Sequence, residues 1–253
     1  MLDGQRILLV AAHPDDETIG CGGRLAAWRD PVILHLTDGA PRDMADASVC
    51  GFASREEYAR ARREELLAAL ALAGLGPRNT IQSGLVDQEL AYRMREAARQ
   101  VFTAIGEIRP DVVLTHAYEG GHPDHDSAAF AVHAAGRLLG ERRPRIVEFT
   151  SYHAWNGAIR TGEFLPREGC REAALHLSPE DAERKRRMLD CFVTQRETLR
   201  PFQACVERFR PAPDYDFTRR PAEQVYYDWF AWGATSRGWL EQAARALKEL
   251  GLE

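Results

Sequence analysis

The run Ile7-Leu8-Leu9-Val10-Ala11-Ala12 passes directly into His13-Pro14-Asp15-Asp16-Glu17. A continuous apolar run of this length suits a central parallel strand, buried on both faces of its sheet. Pro14 disfavours helix at His13 and is itself acceptable in a first helical turn. Asp15, Asp16 and Glu17 would complement the dipole of a helix starting there. The stretch therefore reads as a buried strand that ends in one imidazole and three carboxylates.

The same pattern recurs. Pro31 opens a strand through Leu36 that stops at Thr37-Asp38-Gly39. Asp111 to His116 is another buried strand, and the loop 117–121 after it delivers His122-Pro123-Asp124-His125. Helices are expected over about 15–28, from the capping box Ser54-Arg55-Glu56-Glu57 to Ala73, and over 88–108, 126–139, 178–192 and 238–250. Residues 80–85 form a weak strand, and 146–151 and 173–177 are further strand candidates. Residues 40–52 read as a polar loop. The order predicts an α/β fold, a Rossmann-like, mostly parallel sheet with helices on both faces. In such sheets ligands bind at the carboxyl edge of the strands, and both polar motifs sit at that edge. The chain, residues 1–253, reads as a single domain with an irregular C-terminal arm at about 200–235, rich in prolines, aromatics and charges.

The net charge of -5 offers no electrostatic case for nucleic-acid binding. No segment approaches the length of a membrane span. Five widely spaced cysteines without a CxxC pair suggest reduced thiols. With no signal-type N-terminus, the expected location is cytoplasmic. Homo-oligomer formation is compatible with this reading and not specified by it.

The two motifs together suit a catalytic zinc, which takes three protein ligands and keeps one position open. His13 and Asp16 lie three apart across a strand-to-helix turn and can converge. Either His122 or His125 could be the third ligand. The mixed donor set does not exclude Fe2+ or another divalent ion. Asp15 would face the bound water as general base. The remaining histidine, if protonated, could stabilise an oxyanion, and Asp124 could hold an imidazole in orientation. Metal-assisted hydrolysis of an amide, ester or phosphoester follows.

Ala12-His13-Pro14-Asp15-Asp16-Glu17 with His122-Pro123-Asp124-His125 resembles the LmbE/PIG-L family of zinc-dependent N-acetyl-sugar deacetylases. The resemblance covers roughly the first 150 residues and fades beyond them. It implies a Rossmann-like fold and zinc held by His13, Asp16 and His125. It also implies Asp15 as general base and His122 as the group that stabilises the oxyanion. Arg62 corresponds to an arginine that contacts substrate in some members. The mobile tyrosine of some members has no counterpart, since Gly120 stands at its position and Tyr118 is the nearest aromatic. The implied substrate is a small N-acylated sugar or glycoconjugate.

Plainer readings stand beside these. Glu17 reads as a first-turn helix acid without chemistry. Asp38 reads equally as a substrate contact, a partner of His13 or a turn residue before Gly39. His35, His133, His153 and His176 read as structural, and His116 carries more interest because it ends a strand beside the site. Cys21 reads as packing. The cluster Tyr226-Tyr227-Asp228-Trp229-Phe230-Ala231-Trp232 reads as core or an oligomer contact, with a sugar platform as the other reading. The expected function is removal of an N-acyl, chiefly N-acetyl, group from an amino sugar. The alternatives are an amidase acting on a non-acetyl amide such as a thiol-sugar conjugate, and a non-catalytic Rossmann-like binding module. The last lacks a GxGxxG after the first strand.

Overall fold

The computed structural model describes residue 2 and residues 4–253. Strand β1 (Ile7–Ala11) lies in the interior of a seven-stranded sheet and is buried throughout. It pairs in parallel with β2 (Val32–Thr37) on one side and β4 (Val112–His116) on the other. Outside these lie β3 (Thr80–Leu85) and β5 (Arg145–Phe149), also parallel to their neighbours. The order β3-β2-β1-β4-β5 reverses direction between β1 and β4. That is the topological switch point at which open α/β sheets bind ligands.

Side chains alternate across β1, so its two faces feed two cores. Leu8 and Val10 face Met94, Ala97 and Val101 of α4 (Met94–Ile108), Phe130 of α5 (Pro123–Leu139) and Trp239 of α8 (Ser236–Leu250). Ile7, Leu9 and Ala11 face Cys21 of α1 (Asp16–Cys21) and Leu66 and Leu70 of α3 (Arg55–Leu72). Met188 of α6 (Pro179–Asp190) and Leu199 of α7 (Arg196–Leu199) complete that side. Helices therefore cover both faces, as the continuous apolar run requires. Each fully buried leucine of β1 contributes about 1.5–3 kcal/mol.

The structure departs from the sequence expectations in five places. The helix after His13 stops at Cys21, and a single 3-10 turn follows at Leu25–Ala27. Gly20 and Gly23 sit so close to Phe149 and Leu177 that a Cβ would lie 2.2 Å from each, so packing decides there over helix propensity. The loop 40–52 contains a short helix, α2 (Ala45–Val49). Helix α5 starts at Pro123, with the His122 side chain as its cap, which puts Asp124 and His125 in its first turn. A hairpin, β6 (Tyr152–Trp155) and β7 (Ala158–Thr161), turns at Asn156-Gly157, both with positive φ.

The fifth departure is in the arm. Residues 206–211, read as irregular, form β9 (Val206–Pro211), antiparallel to β5 and to β8 (Ala173–His176). Two charged residues of β9 are buried against opposite charges, Glu207 against Lys185 and Arg210 against acids. Arg210 Nε donates to Glu148 at 2.7 Å, and its NH2 donates to Glu119 at 2.9 Å and to the Tyr215 hydroxyl at 3.1 Å. All three charged side chains are buried. Burial pushes the Glu148 carboxyl up to about 7 despite Arg210 beside it. Removing one partner of a buried ion pair costs about 3–5 kcal/mol. Arg210→Met should destabilise the protein by that amount in urea unfolding, and adding Glu119→Gln and Glu148→Gln should recover much of it. A loss below about 1 kcal/mol, the level of an exposed pair, would remove Arg210 from the core framework.

Candidate metal centre

The carboxyl ends of β1 and β4 bring the two motifs together. His13 Nδ1 lies 3.3 Å from Asp16 Oδ2 and 3.3 Å from His125 Nε2, and His125 Nε2 lies 3.1 Å from the other Asp16 oxygen, Oδ1. A tetrahedral ion with bonds of about 2.0–2.1 Å separates its ligand atoms by about 3.3 Å. The three groups thus stand at the spacing of one coordination face, all buried. The imidazole of His125 facing it holds the Asp16 carboxyl well below the usual range against the cost of its burial. Its charge suits a cation.

Tautomers follow from the outer contacts. His13 Nε2 faces the carboxylates of Asp87 at 3.0 Å and Asp124 at 3.4 Å, acids that favour a proton on that nitrogen, and Nδ1 is turned toward the cluster. The Asp124 amide donates to His122 Nδ1 at 3.1 Å, so the proton of that neutral ring sits on Nε2. Burial, with His13 and His125 adjacent, holds His122 well below its ordinary pKa. A neutral N–H donor, rather than the protonated form expected above, therefore lines the cavity. His116 lies 3.2 Å from Asp16, but its Nε2 accepts the Ala12 amide at 3.2 Å. It stacks on His125 at 4.1 Å as a wall, and burial lowers its pKa to about 4.

Asp15 occupies a strained position, with φ 147°, a region L residues seldom adopt. The Glu17 carboxylate accepts its amide at 3.1 Å, and Arg62 donates to its Oδ2 at 3.2 Å. Desolvation raises the Asp15 carboxyl to about 7, opposed by Arg62 and reinforced by Asp16. Glu17 is thus more than a helix acid. It is fully buried and bonded to His35 at 3.0 Å, which gives that core histidine its partner.

The other expected contacts divide. Arg62 is buried at the cavity wall with Asp46 and Gly39. Asp38 accepts from Arg55 at 2.5 Å and from the Ala40 amide at 3.1 Å, and it is absent from the cavity lining. Tyr118 is buried, and its hydroxyl donates to the Arg219 carbonyl at 2.8 Å, away from the cluster. Asp124 reaches His13 and also accepts the Gln88 and Leu90 amides, fixing the loop after β3. Asp87 belongs to that loop. Sequence reading missed it, although it follows a strand at the same sheet edge. Tyr152, Phe202 and Trp232 also line the cavity, of about 160 Å³; the first two carry no motif, whereas Trp232 belongs to the aromatic cluster for which a sugar platform was one of the readings. A larger hollow of about 720 Å³ lies between β3, α4 and α8, lined by paired surface charges and remote from these groups.

A Rossmann-like α/β sheet with a buried histidine and carboxylate cluster at its switch point defines a candidate divalent-metal protein. The model of the GlcNAc-PI de-N-acetylase (PIG-L) family matches residues 8–136, about half of the chain. The chain belongs to that family. It is 36% identical over 147 residues to a 1D-myo-inositol 2-acetamido-2-deoxy-alpha-D-glucopyranoside deacetylase of Rhodococcus erythropolis, covering 49% of this chain and 50% of that protein. It is 35% identical over 136 residues to the diacetylchitobiose deacetylase of Thermococcus kodakarensis, covering 51% and 48%. The chain spans about half the length of the curated relatives it matches. Its fold is similar to that of a deacetylase of the teicoplanin biosynthesis pathway, with TM-score 0.65 and 18% identity over 83% of this chain and 99% of the other. No helix among the described residues is long and apolar enough to cross a membrane.

Proposed function

We propose that this chain is a zinc-dependent hydrolase that removes an N-acyl group, chiefly N-acetyl, from an amino sugar or related small molecule. The observation that carries this reading is the convergence of His13, Asp16 and His125 at 3.1–3.3 Å with Asp15 beside them. The activities named for the relatives support the choice of an N-acetyl sugar amide. The free state of all five cysteines is in keeping with a reducing, cytoplasmic setting. Phe202 and Trp232 from the C-terminal part line the same cavity as His13, which favours one domain acting as a unit.

Zinc, when bound by His13, Asp16 and His125, would polarise the amide carbonyl and acidify a water. Asp15 accepts the proton of the attacking water at its carboxylate and returns it to the leaving nitrogen. A carboxyl raised to about 7 is matched to both tasks near neutral pH. Arg62 holds Asp15 in place and keeps part of it ionised. His122 donates from Nε2 to the carbonyl oxygen as negative charge develops there. Tyr152, Phe202 and Trp232 limit water around the amide.

An acetate-release screen over N-acetylated sugars tests this reading, with a chelated sample as control. We expect release from at least one sugar, loss of at least ~100-fold on chelation, and recovery on adding Zn2+. Release of a larger acid from bulkier amides, with none of acetate, would favour the non-acetyl amidase. Full activity in the chelated sample would overturn the metal assignment.

A further inference from the structure

The site is rimmed by a belt of aromatic rings that extends past the two, Tyr152 and Trp232, lining the reaction cavity. Trp232 lies 5.1 Å from the ring of His122, and Phe230 stacks on it at 4.5 Å and 12°. Tyr226 meets Trp229, Phe230 and Trp232 at 5.0–5.8 Å. It also meets Tyr152, which packs on His125 at 5.2 Å. The belt therefore runs from the imidazoles of the cluster to the protein surface.

Its outer members remain in water, with Trp229 45% and Phe230 43% exposed. They are nevertheless fixed in place. The Tyr226 amide donates to the Gly120 carbonyl at 2.7 Å, and Asp228 accepts from Ser236 and Arg220. Gly233, at φ +69°, presses so closely on the Gln88 carbonyl that a Cβ would lie 2.1 Å from it. Exposed apolar patches beside a reaction cavity are characteristic of ligand-binding surfaces.

The cavity volume points the same way. About 160 Å³ is well below the 300–1,000 Å³ typical of ligand pockets, so most of a substrate must extend past the reacting amide. A second opening beyond Asp87 and Gln88 holds about 480 Å³; of its charges, Arg42 and Glu89 pair with each other, and Asp43 and Asp87 are acids. The rings of the belt have no such covering.

We propose that Tyr226, Trp229, Phe230 and Trp232 form the subsite for the non-reacting part of the substrate, and that this part presents an aromatic face. The proposal rests on the amide-hydrolysing reading above. Aromatic rings placed on such a belt pack edge-to-face or offset-stacked.

Two amines test it without requiring turnover: phenyl and methyl 2-amino-2-deoxy-β-D-glucopyranoside, titrated calorimetrically into the protein as purified. We expect the phenyl compound to bind about tenfold more tightly, the size of one good aromatic contact. Phe230→Ala should bring the two within about twofold, and Phe230→Tyr should keep the preference. Equal affinities in the unaltered protein overturn the proposal, as does a preference that survives Phe230→Ala. A dimer in sedimentation that Phe230→Ala dissociates also overturns it, and assigns the belt to a second copy of the chain. Acetate release from the N-acetylated pair separates this proposal from the reaction itself. Preferential binding with no release from either compound keeps the subsite and sinks the reaction. Release from both with equal affinities keeps the reaction and sinks the subsite.

Discussion

Asp15→Asn should lower turnover by about 10²–10⁴-fold, the usual contribution of a positioned proton-transfer group. Asparagine keeps the shape of the side chain and an oxygen to accept from Arg62, whose contact with Asp15 is 3.2 Å. It cannot take a proton from water near neutral pH. Metal content should stay near that of the unaltered protein, because Asp15 stands outside the three side chains that converge. The substitution also leaves the Glu17 bond to the residue 15 amide intact, so the strained backbone should persist. Steady-state kinetics with metal analysis on one preparation decides the matter. Turnover within about twofold of the unaltered protein would remove Asp15 from proton transfer, where such a group contributes at least about 10²-fold.

His125→Ala should abolish both stable metal retention and turnover. His125 Nε2 supplies one vertex of the converging triangle, and alanine has no atom to replace it. Substituting an outer partner of a metal ligand weakens affinity by about 10–100-fold, so loss of the ligand itself should exceed that range. Asp87→Asn provides the internal standard. It keeps an acceptor for His13 Nε2 while removing the charge, and it should fall within the range. Elemental analysis after dialysis should rank the proteins as unaltered, Asp87→Asn, then His125→Ala. Full occupancy in His125→Ala would move the third ligand to another histidine, with His122 next in position.

Much of this arrangement was legible in the chain. The apolar runs Ile7–Ala12 and Asp111–His116 located two central strands, and their polar ends located the site, because parallel sheets place ligands at that edge. Pro123 was a readable signal for the start of α5, since proline is favoured in a first turn. The sequence reading nevertheless began that helix at Asp126. Strand β9 was hidden for a physical reason. Its inward residues Glu207 and Arg210 are charged, and they are buried only because Lys185, Glu148 and Glu119 meet them across the fold. Local pattern carries no trace of such partners. Asp87 and Phe202 were missed similarly. Each lies in a segment without a motif and joins the site through tertiary packing alone. Glu17 read as a first-turn helix acid, and it is buried against His35 of the neighbouring strand, a partner that its own segment does not show.

The divided origin of the cluster ties metal affinity to conformational stability. His13 and His125 are 112 positions apart, and they meet because β1 and β4 pair in parallel through Ile7↔Val112, Leu8↔Val113 and Leu9↔Leu114. An unfolded chain has no such pairing, so it offers the ion separate, weak donors. A ligand that binds the native state alone raises the unfolding free energy by about 2.7 kcal/mol at a hundred times its dissociation constant. The melting temperature should therefore climb with free zinc concentration, and the slope of that dependence should flatten in His125→Ala. In this fold the ion would act as a clasp between the two halves of the sheet as well as an agent of hydrolysis.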